Sequence, residues 1–115
     1  MDGRPQRKVA DYLSTALGVR HLDTITTAGL VKHIAEDTRQ TETLLENVAI
    51  SMKAHNSNKI AVVAHHDCSG NPAPDRVQKQ QVAGAVARLT ETYPQAEVIG
   101  IWLDAQWIVE RIRLR

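Results

Sequence analysis

The sequence predicts a single α/β domain: a three-layer, mostly parallel sheet with helices on both faces and an antiparallel strand at its C-terminal edge. Two runs, Lys59–His65 (KIAVVAH) and Glu97–Leu103 (EVIGIWL), are apolar without alternation through their middles, the pattern of strands covered on both faces. Segments of helical period precede and separate them, and strand–helix–strand order implies right-handed parallel crossovers. The closing WIVERIRL alternates apolar with polar residues, as a returning edge strand does.

Each element has its own local reason. Residues 5–17 read as a helix, since proline suits a first turn and Val9, Ala10, Leu13, Ala16 and Leu17 recur at helical spacing before Gly18 stops it. Residues 19–26 (VRHLDTIT) are rich in β-branched side chains and read as a short strand. After Thr27-Ala28-Gly29, residues 30–35 form a brief helical turn. Residues 38–55 make a clearer helix, with Leu44, Leu45, Val48, Ala49 and Met52 on one face and Asp37 or Thr38 as its cap. Between the two buried strands, Asp75–Thr92 carries Val82, Ala83, Val86 and Leu89 inward until Tyr93-Pro94 ends it. Residues 107–114 form the returning strand, with a final helix from Ala105 as the alternative.

Composition excludes several function classes. The chain has 115 residues, 43% of them hydrophobic and 23% charged, which is one globular domain spanning 1–115. A net charge of +1 gives no reason to expect nucleic acid or an anionic membrane as partner. There is neither an apolar run of about 18 residues nor a signal-peptide pattern, so the expected location is the cytoplasm. The single cysteine permits no internal disulfide, leaving an inert thiol, a nucleophile or a metal ligand.

In open parallel sheets, sites gather beyond the carboxyl ends of the strands. Lys59–His65 delivers His65, His66, Asp67 and Cys68 there. Imidazole and thiolate together suit zinc, although two donors do not make a site. At the start of the chain, Asp2 and Arg4 stand two apart before a helix, where a guanidinium can hold a carboxylate ionised and oriented.

Taken together, Met1-Asp2-Gly3-Arg4 and His65-His66-Asp67-Cys68 resemble the β-class carbonic anhydrases, in particular a short branch of that superfamily. Its C-x-D-x-R motif is matched from its second position onward, and its H-x-x-C motif is matched in full. The Ala28-Gly29 turn, the long helix after it and the closing IWLDAQWIVERI are also similar, so the resemblance covers nearly the whole chain. It implies zinc as cofactor, His65 and Cys68 as metal ligands, and Asp2 with Arg4 as a catalytic dyad. It further implies carbon dioxide or bicarbonate (or a related small heterocumulene) as substrate, and a homodimer or higher homo-oligomer. His66 and Asp67 match no ligand position and are candidates for outer contacts or proton transfer.

The family's first cysteine and the strand before it have no counterpart here, and Thr26 and Thr27 replace the arginine and asparagine usual before the Ala-Gly turn. Three accounts fit this departure: an N-terminally truncated start, a remnant that kept the fold and lost the metal, or a partner chain that completes the sheet or the zinc sphere. The expected function is therefore that of an ancestral zinc lyase, impaired or inactive in this chain. The alternatives are an anion-binding module using the Ser69-Gly70-Asn71 loop and the following helix, and an oligomeric structural subunit. Trp102 and Trp107 are candidates for an interface or for the core.

Overall fold

A computed structural model describes residues 1–113. It is α/β, with helices α1 (Gln6–Ala16), α2 (Leu30–Glu36), α3 (Thr41–His55) and α4 (Asp75–Thr92) and strands β1 (Lys59–His65), β2 (Glu97–Leu103) and β3 (Val109–Ile112). The sheet order is β1-β2-β3 among the described residues. β1 and β2 pair in parallel from Lys59↔Glu97 to His65↔Leu103, with α4 as the crossover. β3 returns antiparallel, from Leu103↔Val109 to Gly100↔Ile112.

The sheet is therefore mixed, with one parallel and one antiparallel pairing, and not mostly parallel. The expected strand over 19–26 does not form. Its β-branched residues favour extended backbone, but a strand exists only where a neighbour supplies a hydrogen-bonded ladder. Residues 19–27 make no backbone hydrogen bond to any described residue. The predicted bounds of β1, α4 and β2 are those observed, whereas α3 starts later than expected. Neither Asp37 nor Thr38 is its N-cap residue; that position is Gln40, which makes no side-chain capping bond. The C-terminal segment is a strand, not a helix, and runs from Val109 to Ile112; Leu114 lies outside the described residues.

Strand alternation divides the core. Val62, Ala64 and Trp102 join Val31, Ile34, Leu44, Val82, Ala85, Val86 and Leu89 from the helices in one buried cluster. Ile99 and Ile101 instead meet Leu13 and Leu17 of α1 and its continuation, with Ala61 and Val63 packed beside them. Helix α3 is only shallowly engaged: Thr41 and Leu44 are its buried residues, and Ala49, expected inside, is exposed.

At Gly100, α4 packs directly against the backbone of β2. A Cβ there would lie 2.6 Å from Val82 Cγ1 and 2.9 Å from Val86 Cγ2. Gly100→Ala is expected to lower unfolding stability by about 1–3 kcal/mol through overpacking. In a urea double-mutant cycle, adding Val82→Ala should recover part of that loss, because the two sites share one space.

Candidate active site

The register of the parallel pair places the exits of β1 and β2 side by side. His66 N–H donates to Leu103 O at 2.8 Å, one step beyond the paired residues. The loops after both strands therefore leave from the same end of the sheet. The first carries Asp67 and Cys68, and the second carries Trp107.

The N-terminal residues meet these loops. Arg4 grips Asp2 through Nε, at 3.1 and 3.0 Å from the two carboxylate oxygens, and through Nη2. Its backbone N–H adds a bond to Asp2 Oδ1 at 2.9 Å. These charge-assisted contacts hold the Asp2 carboxyl far below the usual carboxylate range. Asp2 Oδ2 lies 3.8 Å from His65 Nε2. Expected site residues from the start and the middle of the sequence, Asp2, Arg4 and His65, are thus brought together.

His65 is buried, and its Nδ1 lies 2.7 Å from the carbonyl oxygen of His66. A carbonyl can only accept, so Nδ1 carries the proton and donates it. In the neutral imidazole the lone pair is then on Nε2, the tautomer that ligation through Nε2 requires. Cys68 is a partly buried free thiol on the same loop. Among the described residues no group of three or more His, Cys, Asp or Glu side chains is arranged to hold a metal ion.

A family model described as "Putative carbonic anhydrase" matches residues 1–113. The chain belongs to that family. No curated protein and no solved structure matches it. The Asp–Arg pair and the histidine of this carbonic-anhydrase-family chain form one cluster, and its cysteine stands on the loop that leaves the histidine.

The loop is held from behind by backbone contact. Gly29 has φ 63°, and a Cβ there would sit 2.4 Å from Gly70 O; one on Gly70 would sit 2.5 Å from Gly29 N. The Ala28-Gly29 turn and the Cys68-Ser69-Gly70 loop therefore touch at a distance that only glycine permits. Beyond it, buried Asn71 turns inward, its Nδ2 donating to Gln81 Oε1 at 2.6 Å. Gln78 Nε2 donates to Asn71 O at 3.0 Å, and Trp102 Nε1–H donates to Gln78 Oε1 at 3.2 Å. These bonds satisfy the buried polar atoms and tie the loop to α4 and β2. His66 turns away from Asp2, its Nδ1 lying 2.9 Å from Asp75 Oδ1 in the first turn of α4.

Two residues make contacts that the sequence does not foretell. Asp67, a candidate for outer contacts or proton transfer, accepts from Arg4 Nη1 at 3.3 Å, and its carbonyl accepts from Nη2 at 3.1 Å. Trp107 lies with its ring centroid 4.8 Å from the Arg4 guanidinium carbon and 6.0 Å from the His65 ring. Both residues have positive φ, 58° at Asp67 and 61° at Trp107. Aspartate tolerates that region, whereas a bulky indole there stores about 1–3 kcal/mol of strain. The strain is over-determined by the turn: Asp104 Oδ1 accepts from the N–H groups of Gln106 at 2.8 Å and Ile108 at 3.0 Å.

Two outcomes check this geometry. Gly29→Ala should cost about 2–4 kcal/mol in urea unfolding, the sum of left-handed strain and overpacking against backbone. Because the folded Asp2 carboxyl titrates below its unfolded value, its contribution is complete above about pH 4 and is lost only well below it. The Asp2 carboxyl carbon should therefore show no NMR titration step between about pH 5 and pH 3, and Arg4→Gln should restore one near pH 4.

Proposed function

We propose that this carbonic-anhydrase-family chain is built on the architecture of a zinc lyase that interconverts carbon dioxide and bicarbonate, and that its activity is impaired. The supporting observation is the placement of a coordination-competent His65 Nε2 3.8 Å from an Asp2 carboxylate that Arg4 locks in the charged form. His65 and Cys68 would be the zinc ligands, and Asp2 with Arg4 the dyad. The donor chemistry fits half a zinc site: imidazole and thiolate are suitable, while Asp2 is already committed to Arg4. Zinc bound there would supply Lewis acidity, bringing the ionisation of water toward neutral pH. The chain's own contribution is to keep His65 in its ligating tautomer and to present an oriented carboxylate as hydrogen-bond acceptor beside it. Asp2 and Asp67 engage four of the five N–H groups of Arg4, which leaves a single Nη1 N–H to meet an anion.

A second reading, an oligomeric structural subunit, is favoured by a specific feature. A groove of about 580 Å³ is lined by Ile60, Ala61, Val62 and Val63 of β1, by residues 19–27, and by Met1 and Asp2 at one end. Consecutive strand residues face opposite sides, so a groove touching all four runs along the strand edge. Leu13 of α1 and Ile34 of α2, from the two separate core clusters, also line it. The groove therefore lies in the plane of the sheet, between the edge of β1, unpaired among the described residues, and residues 19–27. We read it as the place of a further strand, supplied by a partner copy, that would extend the sheet beyond β1 and bring a missing zinc donor. No helix among the described residues is long and apolar enough to cross a membrane, and a cytoplasmic location is part of the same proposal.

Metal analysis and stopped-flow hydration test the first reading. The expected result is substoichiometric zinc and hydration close to the uncatalysed rate, with His65→Ala and Cys68→Ala each abolishing residual zinc binding. Stoichiometric zinc with rapid hydration would overturn the claim of impairment, and zinc retention in both variants would overturn the ligand assignment. For the second reading, sedimentation should show a homodimer or larger assembly; a stable monomer contradicts it.

A further inference from the structure

The geometry points to Trp107 and Asp67 as a two-sided clamp that positions Arg4, making Trp107 a positioning residue for the Asp2–Arg4 pair. Two non-glycine residues with positive φ follow the two parallel strands, and both converge on one guanidinium. Asp67 engages its edge through Oδ2 at 3.3 Å and through the backbone carbonyl at 3.1 Å. Trp107 covers its face at 4.8 Å, a separation at which the ring quadrupole attracts a cation. Arg4 is half exposed, with 48% of its side-chain surface accessible, so the Asp2 pair alone would leave it free to swing as surface ion pairs do. The clamp removes that freedom from both sides.

The conformation of Trp107 supports a positional role over a packing role. Its backbone is unfavourable for an indole, and the Asp104 turn, with Trp107 N–H donating to Asp104 O at 2.9 Å, imposes it. A side chain selected for burial alone would not require a left-handed backbone, and Trp107 is only half-buried, in contrast to Trp102 at 3% exposure. The same placement brings the indole against His65. The catalytic meaning of the clamp rests on the zinc-lyase reading of Asp2 and Arg4; the immobilisation of Arg4 does not.

The test uses nitrogen-15 NMR of the metal-free full chain, with the Arg4 Nε–H signal assigned by its loss in Arg4→Lys. The native signal should be displaced by the indole ring current and slow to exchange with water. Trp107→Leu, which keeps apolar bulk without the ring face, should speed that exchange about fivefold, the factor a contact of this kind supports. Trp107→Phe should restore most of the protection. Trp107→Gly, which relieves the backbone strain, should leave the melting temperature unchanged or raised while freeing Arg4. An Arg4 signal unaffected by Trp107→Leu overturns the clamp, as does a Trp107→Gly variant that melts lower with Arg4 still protected. Zinc retained in both His65→Ala and Cys68→Ala would sink the zinc-lyase reading and leave the NMR result standing, so the two failures are distinguishable.

Discussion

The parallel ladder between β1 and β2 is the constraint on which the rest of the structure depends. Its register, ending at His65↔Leu103, lines up two strand exits to within one hydrogen bond. A shift of one residue would turn every β1 side chain to the other face and carry His65 away from Asp2. Helix α4 enforces the register by packing Val82 and Val86 into the space that Gly100 leaves on β2. The two loops that carry the polar residues inherit their positions from that packing.

The loops are kept in place by polar and steric means. Gly29 and Gly70 allow two backbones to meet, and the Asn71–Gln78–Trp102 chain of hydrogen bonds fastens the far end of the first loop to the core. Such a network stabilises only when every member is satisfied, and no buried side-chain polar atom among the described residues lacks a partner. On the solvent side the arrangement is different. Asp2, Arg4, Asp67 and Trp107 are partly exposed, and their order comes from a chain of mutual contacts ending on the rigid Asp104 turn. The result is an electrostatic cluster beside a histidine whose second nitrogen is fixed by the backbone carbonyl of His66.

Much of this was legible in residue order. The unbroken apolar middles of β1 and β2 and the period of α4 are local patterns, and their bounds were read without error. The pairing of Asp2 with Arg4 was also legible, because two residues of opposite charge two apart before a helix can hardly avoid one another. The segment over 19–26 misled for a physical reason. β-propensity records how well a side chain fits a pleated surface, and here no neighbouring strand supplies one. Ala49 misled in the same way, since a helix face is apolar by sequence but buried only if something covers it.

By itself, the sequence determined the elements that depend on nearest-neighbour periodicity: two buried strands, the helix between them, and a histidine and cysteine delivered to the strand end. It also carried a family membership, through motifs at residues 1–4 and 65–68 that the match over residues 1–113 agrees with. Only the tertiary structure decided how Arg4 is used, because Asp67 lies 63 positions away and Trp107 approaches through a turn whose left-handed backbone no propensity predicts. It also decided that Asn71 and Gln78 belong to the core and that one edge of β1 faces an unfilled groove. Contacts between distant residues depend on loop geometry and on which surfaces meet, and neither is written in the period of a single segment.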